Sequence, residues 1–214
     1  MIQPDECDPG EFDRVVNDAT ARCDERFPSR YRDAVADHPL VQGWVAQFHS
    51  NPVACPSLLL LGPVGRGKTH QGFGALRQAV CRPHRLLSGI PQLPGWKSLT
   101  HADLAAMMRP RPARDHDPEY MLDRLKETPV LMLDDLGIAK GSEYVEEITY
   151  RLINSRYEAE RPSIYTTNLP AERFTEYLGD RIASRLIESC MQVVLEGPDR
   201  RRQPVAAGEV AHHG

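Results

Sequence analysis

Leu58-Leu59-Leu60-Leu61-Gly62-Pro63-Val64-Gly65-Arg66-Gly67-Lys68-Thr69 carries the strongest fold signal in this chain. The leucine run has no polar face, the pattern of a strand covered on both sides in a parallel sheet. Residues 62–69 fit G-x-x-x-x-G-K-[ST]. In that pattern backbone N–H groups of a glycine-rich turn face phosphate oxygens, Lys68 brings a point charge to the β- and γ-phosphates, and the Thr69 hydroxyl can ligate Mg²⁺. A helix starting near Lys68 adds its positive N-terminal end to the same anion site. Strand, loop and helix in this order predict an α/β domain that takes a nucleoside triphosphate through Gly62, Pro63, Gly65, Arg66, Gly67, Lys68 and Thr69.

The 214 residues suffice for one α/β core and a small appendage. A net charge of −4 leaves no overall basic surplus, so nucleic acid would have to be met by a local patch. Cys7, Cys23, Cys55, Cys81 and Cys190 are scattered without a C-x-x-C pair, which favours reduced thiols over a disulfide framework or a metal knot. The opening Met1-Ile2-Gln3-Pro4-Asp5-Glu6 lacks the regions of a signal peptide, and no apolar run reaches the roughly eighteen residues of a membrane span. These features predict a cytoplasmic protein with no membrane contact.

Three regions emerge from the pattern: an acidic arm and helical lead-in over 1–50, the α/β domain over 51–202, and a tail over 203–214. The acid-rich start reads either as a partner-binding segment or as a solvated arm. From Phe27 to Phe48, apolar residues recur at helical spacing. Thr100-His101-Ala102-Asp103 fits a capping box ahead of Leu104 to Met108, after a Pro- and Gly-rich loop over 83–95. Arg109-Pro110-Arg111-Pro112-Ala113-Arg114 cannot be regular helix and holds three arginines. It reads as a solvated loop or as a phosphate-contacting one, with Arg109, Arg111 and Arg114 the candidate DNA contacts. Next along the chain, a helix is expected over Glu119 to Lys126.

Val130-Leu131-Met132-Leu133-Asp134-Asp135 is a second buried strand, ending in two carboxylates where a parallel sheet sets strand ends beside the phosphate loop. Asp134 is placed to hold Mg²⁺, and Asp135 to polarise the water that attacks a γ-phosphate. From Ser142 a long amphipathic helix carries Arg151, Arg156 and Glu160 at polar positions. Ser163-Ile164-Tyr165-Thr166-Thr167-Asn168 predicts a third strand that brings the Asn168 amide to the same edge, and Asn before Leu-Pro is at the same time a common helix start. In Gly179-Asp180-Arg181-Ile182-Ala183-Ser184-Arg185-Leu186, Asp180 can cap a helix that sets Arg181 and Arg185 on one face.

The phosphate loop, Leu-Asp-Asp-Leu-Gly, Thr-Thr-Asn-Leu-Pro and Arg-x-x-Ser-Arg-Leu together resemble the AAA+ ATPases. More narrowly they resemble the DnaC/DnaI helicase-loader and IstB transposition-helper group, over about Phe27 to Arg202. Asn154-Ser155-Arg156-Tyr157 also resembles a stretch of that group. The resemblance implies a P-loop NTPase of AAA+ type: a three-layer sandwich with a mainly parallel sheet, a short helical N-terminal lead-in and no full C-terminal lid. It implies ATP and Mg²⁺ as cofactors. Gly62, Gly67, Lys68 and Thr69 then stand at Walker A, Asp134 and Asp135 at Walker B, Asn168 at sensor I and Arg185 at the arginine finger, with Arg181 the alternate. Arg200 falls where a sensor II-like contact or a solvated basic tail is expected. The function implied is an ATP-hydrolysing loader of a replicative helicase that self-assembles through its ATP sites and grips single-stranded DNA. A transposition helper preferring duplex DNA is the alternative within the group. Outside it stand a small-molecule P-loop kinase, which has no use for Asn168 and Arg185, and a nucleotide-gated scaffold.

Overall fold

Two unbroken apolar runs and the β-prone run Ser163 to Thr167 have to be covered on both faces, and side chains alternate across a strand. The computed structural model describes residues 17–18, 20–81, 84–85, 91–109, 117–137 and 143–199. In it these runs become β1 (Ser57–Leu61), β5 (Val130–Asp134) and β6 (Ser163–Thr167), the inner strands of one sheet. With β4 (Trp96–Thr100) and β7 (Cys190–Val194) the order is β4-β5-β6-β1-β7, every pair parallel. A two-stranded ladder of β2 (His84–Arg85) and β3 (Pro91–Gln92) stands outside it.

Alternation divides the core into two layers. Leu58, Leu60, Met132, Ile164 and Val193 face α1 (Pro39–Ser50) and α2 (Lys68–Val80), burying Trp44, Phe48 and Leu76. Leu59, Leu61, Leu131, Leu133 and Tyr165 face the other way. There they meet Leu104, Leu122, Leu152 and Leu186 of α3 (His101–Met108), α4 (Pro118–Glu127), α5 (Glu143–Glu158) and α7 (Asp180–Ser189). A short α6 (Phe174–Leu178) precedes α7. Fully burying one such leucine contributes about 1.5–3 kcal/mol, so the sheet and its two helical layers stabilise each other. The result is the α/β three-layer sandwich with a parallel sheet that the strand pattern implies. Among the described residues no helix is long and apolar enough to cross a membrane.

Four features depart from the sequence reading. The apolar spacing from Phe27 to Phe48 is not one helical lead-in: a 3₁₀ turn at Ser29–Tyr31 is followed by non-helical chain, and the helix starts only at Pro39. Pro28 and Pro39 set these breaks, since proline cannot sit inside a helix. Trp96 to Thr100 forms a strand where the sequence suggested none. Arg156 is no polar-face residue of α5 but is 1% exposed. Finally, Cys23 and Cys81 form a disulfide with Cα atoms 5.7 Å apart, against the expected reduced thiols. Helical residues 20–25 bring Cys23 there, because Asp24 pairs with Arg77 at 2.7 Å and the Thr20 hydroxyl donates to the Cys81 carbonyl at 3.0 Å. Phe27 stacks on Trp96 and Tyr31 on Phe73, fixing this segment against α2.

Candidate functional site

In a parallel sheet all strand C-termini meet one edge, and there β1 hands over to the phosphate loop, β5 to Asp135 and β6 to Asn168. A cleft of about 590 Å³ opens at this edge. Gly65, Gly67, Lys68 and Thr69 line it together with Asp135 and Asn168. Two elements make the loop take this path. Gly65 has φ +85°, and a Cβ there would collide with the Asp199 carboxylate, so only glycine fits. Lys68 begins the first turn of α2 and Thr69 follows it, so the unbonded N–H groups of that turn lie at the cleft.

Lys68 is buried, and its ammonium donates to the carbonyls of Gly62 at 2.7 Å and Pro63 at 2.8 Å. The Thr69 hydroxyl donates to Asp134 Oδ1 at 3.0 Å and Oδ2 at 3.2 Å. Thr166 on β6 donates its hydroxyl to Asp134 and accepts the Asp135 N–H at 3.0 Å. Burial pushes the Asp134 carboxyl above its ordinary range; the Thr166 bond opposes this and the Asp135 charge adds to it. Asp135 sits at φ 55°, a left-handed conformation rare for a side-chain-bearing residue, which turns the chain at the strand end. A hydroxyl beside a buried carboxylate is a donor set of hard oxygens, which suits Mg²⁺. Among the described residues no group of three or more His, Cys, Asp or Glu side chains is arranged to hold a metal. An ion here would therefore take its other ligands from phosphate and water.

The remaining candidates separate. Arg66 does not line the cleft, and its Nε is buried without a hydrogen-bond partner among the described residues. Arg181 and Arg185 lie on α7, away from the cleft: Arg181 stands over Tyr150 and Arg185 over Tyr157. Arg109 is exposed at the C-terminal end of α3. Arg111, Arg114 and Arg200 lie outside the described residues. Asn168 caps no helix, because the turn after it has Pro170 at its N-cap. Asp180 is likewise inside the first turn of α7, whose N-cap is Gly179. The capping box at Thr100 is present, with both reciprocal bonds to Asp103.

Four further residues, none marked as a site residue by a sequence motif, contribute to the site. Arg30 and Tyr31 line the cleft, carried there by the segment strapped to α2. Thr166 organises both aspartates, and its only signal was a hydroxyl one strand away in register. His101, 3% exposed, accepts the Gly137 N–H on Nδ1 at 3.3 Å. The proton therefore sits on Nε2, which donates to Thr149 Oγ1 at 2.9 Å, and Thr149 donates onward to the Val145 carbonyl at 2.7 Å. Burial lowers the His101 pKa and keeps the ring neutral. This chain of bonds ties the turn after Asp135 to α3 and α5.

A family profile described as IstB-like ATP binding protein matches residues 54–205. The chain is 28% identical over 144 residues to the replicative helicase loader DnaC of Escherichia coli K12, covering 67% of this chain and 54% of that protein. It is 29% identical over 132 residues to an ATP-binding protein of insertion sequence IS21 from Pseudomonas aeruginosa, covering 61% of this chain and 45% of that one. The chain thus spans about half the length of the curated relatives it matches. Among solved structures, the crystal structure of the DnaC helicase loader is similar with a TM-score of 0.60 and 24% identity, covering 79% of this chain and 100% of that one. With the phosphate loop, the acidic strand end and the parallel sheet in place, the chain belongs to the family of IstB-like ATP-binding proteins, built on the P-loop fold of the AAA+ type.

Proposed function

We propose that this chain is an Mg²⁺-dependent ATPase that loads a replicative helicase, assembling with copies of itself through its ATP sites and contacting single-stranded DNA. The observation that carries the ATPase reading is the meeting of Lys68, Thr69, Asp134, Asp135 and Asn168 at one sheet edge, four of them in the same cleft. Phosphoryl transfer asks a protein for positioning and charge neutralisation rather than covalent chemistry. Lys68 leaves its two loop carbonyls for the β- and γ-phosphates, and the loop N–H groups hold the phosphate chain. Thr69 and Asp134 would hold Mg²⁺, which supplies charge neutralisation at the β- and γ-oxygens when bound. Asp135 polarises the attacking water, and Asn168 holds that water or a γ-oxygen. Arg185 of one copy, with Arg181 as the alternate, stabilises γ-phosphate charge on the next. Arg30 and Tyr31 also line the cleft.

The loader reading draws on the similarity to DnaC. A second reading, a transposition helper, is favoured by the family profile and the IS21 relative. Replicative loading requires single-strand preference and co-purification of a replicative helicase, whereas the helper requires duplex preference and a transposase. Equilibrium binding to matched single- and double-stranded oligonucleotides across a salt series separates them. Charge reversal of Arg109, Arg111 and Arg114 should weaken single-strand binding and flatten its salt slope, because each phosphate contact releases counterions. Unchanged affinity and slope would remove these arginines from DNA binding.

A further inference from the structure

We propose that Asn154 and Tyr157 are positioning residues that set the Arg185 guanidinium for use by a neighbouring copy of this chain. The proposal rests on the reading of Arg185 as a finger acting on that neighbour's γ-phosphate, and it gives the Asn154-Ser155-Arg156-Tyr157 stretch two separate tasks.

Arg156 turns inward. Arg185, on α7, meets the other two residues on α5, where positions 154 and 157 share a helix face. Its Cζ lies 4.3 Å over the Tyr157 ring, and its Nε donates to Asn154 Oδ1 at 3.1 Å. Nη1 faces Glu188 Oε2 at 3.7 Å. The cradle is itself fixed: the Tyr157 hydroxyl donates to Glu188 Oε1 at 2.6 Å, and Asn154 Nδ2 donates to Glu158 Oε1 at 2.9 Å. The Arg185 side chain also hydrogen-bonds the Tyr157 hydroxyl and is 32% exposed. A guanidinium is a planar fork of five donors. Here Asn154, Glu188 and the Tyr157 hydroxyl do not use up all five donors, so the partly exposed fork keeps donors for a ligand. Ordering a long arginine before it meets phosphate removes a cost that binding would otherwise carry. Arg181 has no such cradle: it stands 5.6 Å over Tyr150 and makes no hydrogen bond or ion pair among the described residues.

The test is steady-state ATP turnover across protein concentration, with ATP affinity and unfolding temperature measured on the same samples. We compare wild type, Arg185→Ala, Tyr157→Ala, Tyr157→Phe, Asn154→Ala and the double variant Tyr157→Ala/Arg185→Ala. Tyr157→Ala and Asn154→Ala are expected to lower kcat about tenfold at unchanged ATP affinity. Tyr157→Phe keeps the ring face and should recover most of the loss. Tyr157→Ala should add nothing to Arg185→Ala. Mixing Tyr157→Ala with Lys68→Ala should restore turnover, since the Lys68→Ala subunit supplies an intact finger. If Tyr157→Ala does not fold, Asn154→Ala carries the same comparison. A kcat within about twofold of wild type for both cradle variants, with Arg185→Ala inactive, overturns this proposal alone. Full activity in Arg185→Ala, or a wild type that does not hydrolyse ATP, overturns the site reading and this proposal with it.

Discussion

The Thr69 hydroxyl and the Asp134 carboxylate are joined across two elements, one donor reaching both oxygens at 3.0 and 3.2 Å. The bond links the first turn of α2 to the end of β5 and marks where a hard cation would sit. Thr69→Val keeps the branched shape and removes the hydroxyl. We expect it to weaken ATP binding about tenfold in Mg²⁺, about 1.4 kcal/mol, and to leave binding in EDTA unchanged. Calorimetric titration under the two conditions checks this, and an equal loss in both would point to a damaged loop rather than a missing ligand.

His101 gives stability a pH dependence of known sign. Its folded pKa lies below the ordinary 6.5 because burial disfavours the charged ring. Below about pH 6.5 the unfolded chain takes up a proton that the folded chain refuses, so stability is complete above that value and falls as pH drops beneath it. His101→Leu removes the titrating group and should flatten this part of the curve while lowering stability by about 1–3 kcal/mol, since Gly137 N–H is left unsatisfied. Unfolding midpoints measured between about pH 5 and about pH 8 decide the matter. Parallel wild-type and variant curves would contradict it.

Arg156 donates to the carbonyls of Leu125, Lys126, Thr128, Pro129 and Pro162 and to Ser163 Oγ. Burial lowers its pKa to about 10, leaving it charged at neutral pH. It fastens the end of α4 and the entry to β6 onto α5. Lysine has three donors and no fork, so Arg156→Lys orphans several acceptors and should cost about 3 kcal/mol in urea unfolding. An unchanged midpoint would show that water replaces the cage.

Gly65→Ala places a methyl against Asp199 and forces alanine into φ +85°. Strain of this kind costs about 1–3 kcal/mol and is relieved by moving the loop, so ATP affinity should fall while the fold persists. Adding Asp199→Ala removes the clash and leaves the backbone strain, and should restore affinity only in part. Full restoration would show that φ at Gly65 is immaterial.

What the sequence made legible was local. The leucine run, the glycine spacing, the acidic end of β5 and the Thr100 capping box each announce themselves within a few residues. The rest depends on partners far along the chain. β4 escaped notice because its Lys97, Ser98 and Thr100 suit a partly exposed edge strand and carry no apolar run. Arg156 looked like a solvated helix position because all but one of its acceptors are chain carbonyls, of residues 125, 126, 128, 129 and 162, invisible to side-chain patterns. Cys23 and Cys81 are 58 residues apart and meet where the Asp24–Arg77 pair and the Thr20 bond to Cys81 dock the first segment. That docking also carries Arg30 and Tyr31 to the cleft. The candidate residues of the phosphate loop and the strand ends stand in recognisable local patterns, whereas Thr166, His101 and Tyr157 make contacts that exist only in the fold.

The most direct test of the central claim, that this cleft binds and hydrolyses ATP, compares wild type, Lys68→Ala and Asp135→Asn for ATP binding and for phosphate release on the same preparations. Wild type should bind and turn over ATP, Lys68→Ala should lose binding, and Asp135→Asn should bind normally while turnover falls about a hundredfold or more. Equal ATP affinity in wild type and Lys68→Ala, or undiminished turnover in Asp135→Asn, would contradict the account.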